Sequence, residues 1–172
     1  MKKILFFAVS FLLLCAPIAE AQMKVKWDGN SNINWKVKRC YVKNDKCILD
    51  LLLSNEGSTD IQSFLKSRYG NDQIWSIAYD DEGNNYEYCY PVGTFPQKRI
   101  LNGETTINGR NDSSGNLKFE LPAGLTVKAH IVLNDFDEYA TKISLIKLTF
   151  GLGMAYNGWA VLEIRDIPVT RE

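Results

Sequence analysis

INWKVKRCYVKNDKCILDLLL, residues 33–53, is the stretch whose reading decides the fold. Ile33, Trp35 and Val37 share one face of a strand that enters Cys40, and Cys47, Leu49, Leu51 and Leu53 share one face of its successor. A period of two marks extended chain, because successive side chains of a strand point to opposite sides. Lys43-Asn44-Asp45-Lys46 supplies the turn, since Asn and Asp tolerate the backbone that tight hairpins require. Ile48, Asp50 and Leu52 occupy the second strand's other face. That strand is nearly apolar on both sides and belongs near the middle of a sheet.

The same pattern extends outward. Residues 73–79 and 86–90 flank Asp80-Asp81-Glu82-Gly83-Asn84, which makes the acidic cluster a hairpin tip. Asn102-Gly103 and Asn108-Gly109 suit turns with positive φ. Residues 108–116 read as a polar loop. Leu117, Phe119 and Leu121 resume the alternation before Pro122-Ala123-Gly124 turns the chain. Val127, Ala129, Ile131 and Leu133 form another inward face, residues 143–150 are mostly β-branched or apolar, and a last strand spans 159–165 before Pro168 interrupts pairing. The one helix candidate is 60–69, where Ile61, Phe64, Leu65 and Arg68 fall at helical spacing. The expected fold is all-β: a two-layer antiparallel sandwich of about seven to nine strands with at most one short helix. Residues 22–172 form one domain, without internal repeat or low-complexity linker.

Leu53-Ser54-Asn55, Asp80-Asp81-Glu82-Gly83-Asn84-Asn85-Tyr86 and Phe119-Glu120-Leu121-Pro122-Ala123-Gly124 leading into Val127-Lys128 carry a resemblance. Over most of residues 35–165 the chain resembles immunoglobulin-like β-sandwich domains of secreted and surface-exposed bacterial proteins of unknown function. The resemblance implies an envelope or extracellular setting and a binding or structural role, and it brings no catalytic residues.

The N-terminus reads as an export signal: basic Lys2 and Lys3, an apolar run over 4–14, and the small-x-small Ala19-Glu20-Ala21. The run is too short for a permanent transmembrane anchor. Residues 1–21 are expected to be removed, giving a secreted, periplasmic or cell-surface protein that begins near Gln22. Lipid anchoring at Cys15 is the alternative fate, and bulky Leu14 before it argues against that. The chain carries 20 basic and 20 acidic side chains; the leader takes two lysines and one glutamate, leaving 18 against 19. That balance implies no basic face and no nucleic-acid partner.

Cys40, Cys47 and Cys89 survive cleavage. Cys40 and Cys47 flank the first turn: a four-residue loop at 42–45 would set them opposite each other for a disulfide, a tighter one would put them out of register. A bond from either to Cys89, or no bond at all, is the other option. No Cys-x-x-Cys spacing supports zinc or redox chemistry, and no cofactor is implied.

Tyr86, Tyr88 and Tyr90 stand at i, i+2 and i+4 on one strand and share a face. Exposed, they could stack on a sugar or anchor a protein at the cell surface; cross-strand packing would explain them equally. Trp27, Trp35, Trp75 and Trp159 add to the aromatic content. Asp80, Asp81 and Asn84 offer hard oxygen ligands for Ca²⁺, without the spacing of an EF-hand loop. Asp135, Asp137 and Glu138 form a similar group, and Asp112 lies in the polar loop. His130, the only histidine, sits on a strand face opposite the inward alternation. The reading is a non-catalytic binding protein of protein or glycan, not an enzyme. A carboxylate-dependent hydrolase using Asp80, Asp81, Asp135 and Asp137, or an edge-strand assembly subunit, are the alternatives.

Overall fold

The computed structural model describes residues 23–67, 75–88, 99–100, 103–111, 116–152 and 158–172. The leader, Cys15, Arg68, Cys89, Tyr90 and Asp112 lie outside them. The described residues form thirteen strands: β1 (Lys24–Trp27), β2 (Ile33–Lys43), β3 (Lys46–Asn55), β4 (Ile61–Leu65), β5 (Ile77–Asp80), β6 (Asn85–Tyr88), β7 (Arg99–Ile100), β8 (Thr106–Ile107), β9 (Leu117–Leu121), β10 (Thr126–Leu133), β11 (Lys142–Leu152), β12 (Trp159–Pro168) and β13 (Thr170–Arg171). The all-β class is as expected, but the strand count exceeds nine. All thirteen belong to one hydrogen-bonded sheet, a curled half-barrel: ten run in the order β1-β12-β11-β5-β6-β7-β10-β3-β2-β13, while β4 joins at β11 and carries β9, and β8 joins at β10.

The C-terminal strand causes the curl. Its first stretch pairs with β11 on one side and β1 on the other, and after Val169 its last two residues pair in parallel with Tyr41 and Val42 of β2. Pro168 does not stop the pairing, because it sits opposite Lys142 at the strand's end. Inside the curve the alternating faces meet: Leu49, Leu51, Leu53, Ile131, Leu133, Ile146, Leu148, Leu162 and Ile164 are buried. Trp27, Trp35, Phe119 and Phe150 close one part of this core, with Trp27 and Trp35 centroids 5.5 Å apart and Trp35 and Phe150 5.1 Å apart.

Residues 61–65 are strand β4, not helix. Gln62 and Phe64 turn away from Ile61, Ser63 and Leu65, and the segment pairs with β9 on one edge and β11 on the other. Two ladders outweigh the helical spacing of Ile61, Phe64 and Leu65. The tip of the Phe64 ring sits against Gly151, where an added Cβ would come 2.1 Å from it, and the ring is perpendicular to that of Trp159 with centroids 5.9 Å apart.

The β2–β3 turn is the tighter of the two possibilities. Asn44 and Asp45 both have positive φ, 51° and 59°, the pair of values a two-residue type I′ hairpin needs. Lys43 therefore faces Lys46, Val42 faces Cys47 and Cys40 faces Leu49. Earlier in β2 the register slips between Val37 and Arg39. This bulge changes the phase of the alternation: Ile33, Trp35 and Val37 point inward before it, Cys40 and Val42 after it. Arg39 is thereby turned to the outer face.

Candidate functional site

Register then assembles a surface that the sequence order does not show. Across the outer face of β2, β3 and β10, Lys36 stands opposite Leu52 and Leu52 opposite Lys128. The next row is Arg39, Asp50 and His130; the one after it is Tyr41, Ile48 and Val132. Lys46 lies beyond these and is held by Glu104 at 2.7 Å. Among the described residues neither Lys36 nor Lys128 is ion-paired.

Asp50 organises the middle row. Its side chain is only 7% exposed although it lies on the outer face, and each oxygen takes one partner. Arg39 Nε donates to Oδ2 at 2.6 Å, and His130 Nδ1 meets Oδ1 at 2.6 Å. An ionised carboxylate only accepts, so Nδ1 is the donor and Nε2 is turned outward. The Asp50 hydrogen bond holds Arg39 even more firmly in its charged form. The guanidinium carbon lies 4.3 Å above the Tyr41 ring, with Nη2 3.4 Å from its hydroxyl. A half-exposed guanidinium and a half-exposed imidazole are thus fixed side by side on a buried acid, with lysines in the neighbouring row. The arrangement presents N–H donors that suit an anionic acceptor.

The residues singled out from sequence have other fates. Tyr86 and Tyr88 are fully buried, so the expected contact stripe is, at these two positions, core. Tyr86 stacks on Phe136 with centroids 5.6 Å apart and donates its hydroxyl to Asp80 at 2.9 Å. Burial drives its phenol pKa far up, against a backbone N–H from Asp137 and with the nearby Asp80 charge.

The calcium cluster is a closed hydrogen-bond net. Asp80 accepts from the Tyr86 hydroxyl, the Asn84 amide side chain, and the backbone N–H groups of Glu82 and Asn84. These four donors match the acceptor sites of a carboxylate. Asp81 turns elsewhere, accepting from Thr141 N, Thr141 Oγ1 and Lys142 N. The structure brings Asp80 and Asp137 together through the one Nδ2 of Asn84, which donates to both, at 2.9 and 3.1 Å. Asp135 is bonded to Asn134. Among the described residues no group of three or more His, Cys, Asp or Glu is placed to hold a metal ion.

Cys40 and Cys47 are buried free thiols with sulfurs 3.4 Å apart. An open cleft of about 380 Å³ on β5, β11 and β12 is lined by Trp75, Tyr79, Lys147, Val161 and Glu163.

What sequence reasoning missed is the Arg39–Asp50–His130 row. One sign of it was present: an acid alone among leucines in the strand assigned to the middle of the sheet needs partners if it is buried. Compared with known protein families, curated proteins and solved structures, the chain matches none. Among the described residues no helix is long and apolar enough to cross a membrane.

Proposed function

We propose that this chain is an exported, non-catalytic binding module of the bacterial cell envelope that holds an acidic glycan against the outer face of β2, β3 and β10. The observation that carries the reading is Asp50, a buried carboxylate that holds Arg39 and His130 outward between the lysines of a near-neutral chain. Carboxylates or sulfates along a polysaccharide present repeated planar or tetrahedral acceptors, which suit a half-exposed guanidinium fixed at Nε by Asp50 and steadied over Tyr41. An open sheet face suits a linear polymer better than it suits a small molecule, which prefers a deep pocket. From the resemblance to immunoglobulin-like domains this reading takes the exported setting and not the two-layer topology.

The test is retention of the purified protein on immobilised heparin and polygalacturonate against neutral dextran, at low and high salt. Binding to the acidic polymers alone, weakened by salt and lost in a Lys36→Glu, Lys128→Glu double variant, is expected. A Tyr79→Ala variant in the cleft serves as control and should bind normally. Equal retention on dextran, or an unaffected double variant, would remove the face from consideration.

Edge pairing is a second reading, favoured by β1: its one strand partner among the described strands is β12, and Val25 on it is 45% exposed. Concentration-dependent dimers by sedimentation, abolished by Val25→Lys, would support it.

A further inference from the structure

Cys40 and Cys47 are a pair for which the hairpin geometry has a specific use. They are not directly opposite, because the two-residue turn sets Cys40 against Leu49 and Cys47 against Val42. Both side chains nevertheless point to the inner face, and across the diagonal of the twisted hairpin their sulfurs stand 3.4 Å apart. A disulfide bond is about 2.0 Å long, so the two sulfurs need approach by only about 1.4 Å, a distance side-chain rotation can share between them. Cys47 is fully buried and Cys40 is 5% exposed.

We infer that Cys40 and Cys47 form an intramolecular disulfide in the exported protein, a diagonal staple across the β2–β3 hairpin that carries Arg39 and Asp50. The oxidant is a disulfide of the dithiol-oxidoreductase or glutathione class, written RSSR. One cysteine thiolate attacks a sulfur of RSSR, forming a mixed disulfide and releasing RS⁻. The second cysteine thiolate attacks the protein sulfur of that mixed disulfide and releases the other RS⁻. The two cysteine protons end on the two released thiolates, so the net change is two cysteine thiols and RSSR to one protein disulfide and two RSH. Burial dictates when this happens. Neither sulfur is open to a bulky disulfide once the core has closed, and the hydrogen bond with Cys47, together with burial, pushes the Cys40 thiol strongly toward its protonated form. Exchange belongs to the stage at which the hairpin exists and its inner face is still uncovered. The folded, reduced protein should then resist oxidation.

Export is borrowed from the proposed function, so the experiment has two arms. In one, the full chain is expressed with its leader and recovered from the periplasm; in the other, reduced protein is refolded in a glutathione redox buffer, which needs no export. Both samples are alkylated without reduction, digested with trypsin and mapped by mass spectrometry. Cleavage after Arg39, Lys43, Lys46 and Lys66 separates residues 40–43 from residues 47–66, so the bond appears as one cross-linked pair that collapses on reduction. That pair is expected in both arms, together with slow loss of free thiol when glutathione disulfide is added to already folded reduced protein. Alkylated Cys40 and Cys47 in the refolded sample, or either one linked to Cys89 or to a second chain, would overturn the inference. A linked pair in the refolding arm alone would sustain the chemistry and count against export.

Discussion

Asp50→Asn separates two explanations of the cationic face that agree on almost everything else. The substitution keeps the side chain's shape and removes one negative charge, so the face becomes more positive by one unit. If long-range charge alone held an acidic glycan, the variant would bind more tightly. If the carboxylate acts by positioning Arg39 and His130, it would bind less tightly, because an amide cannot accept from both donors at once. Asn has one oxygen; its NH₂ would confront either Arg39 Nε–H or the His130 Nδ1 proton. Two short hydrogen bonds, each 2.6 Å, end on a nearly buried acid. Charge-assisted bonds to a buried group contribute about 1.5–3 kcal/mol, and half-exposed partners scale that down, so the loss expected for the Asp50 site is about 1–2 kcal/mol in total. For a domain of this size that lowers Tm by about 3–6 °C. A comparable loss of preorganisation at the ligand weakens binding by about 5- to 30-fold. The assays are thermal unfolding by circular dichroism and calorimetric titration with a defined acidic oligosaccharide. A variant that binds the oligosaccharide more tightly would refute the positioning argument, even if its stability fell as expected.

Three further outcomes follow from the polar groups the fold has buried. Asn55 donates to Thr59 O and Leu121 O and accepts from Gly57 N, tying three chain segments together, so Asn55→Ala should cost about 2–4 kcal/mol in urea unfolding; a change under about 0.5 kcal/mol would contradict the geometry. Tyr86→Phe removes the hydroxyl joining Asp80 to the backbone of Asp137 and should cost about 1–2 kcal/mol with glycan binding unchanged, since this residue is core. Lost binding in that variant would restore the tyrosine to the functional surface. Asp81 has its pKa lowered: its partial burial pushes the pKa up, and hydrogen bonds from Thr141 and Lys142 outweigh that. A group whose folded pKa lies below its unfolded value stabilises above the unfolded value, near pH 4, and loses that contribution as pH falls through the folded value. Asp81→Asn should therefore lower Tm at neutral pH and leave it closer to wild type at pH about 3; an equal decrement at both values would mean that charge is not involved.

Much of the local architecture was legible because local rules determine it. The Asn44-Asp45 turn, the acidic tip at residues 81–84 and the inward faces of β3, β9 and β10 follow from positive-φ residues and period-two alternation, which act within a few positions. Curling into one sheet was not legible, since it depends on Thr170 and Arg171 finding β2, more than a hundred residues away in sequence. Nor was the identity of residues 61–65: Phe64 and Leu65 fit a helix as well as a strand until two neighbouring ladders decide between them. The tyrosines show the same limit. Sharing a face is a local property, but whether that face is wet depends on what lies over it, and Phe136 lies over Tyr86.

The candidate site lies at the junction of these two kinds of information. A near-zero net charge argued against a basic face, and as a statement about the whole chain it was sound. Charge segregation, however, depends on which strands become neighbours and in what register. Pairing β10 with β3 sets Lys128 two strands from Lys36 and His130 beside Asp50, none of which is adjacent in sequence. One inserted residue in β2 completes the arrangement. Without the bulge between Val37 and Arg39, the alternation that buries Val37 would carry Arg39 inward and Lys38 outward, and Asp50 would face a flexible ammonium in place of a fixed guanidinium. Deleting Lys38 should therefore be tolerated: it leaves Val37, Arg39 and Cys40 in strict alternation against Leu51, Asp50 and Leu49, which are already their partners, so Arg39 stays on the outer face and the register is kept. Both that deletion and Lys38→Ala should titrate with an acidic oligosaccharide close to wild type, and a deletion variant that lost binding would mean that the extra twist of the bulge, beyond its outward placement of Arg39, sets the guanidinium.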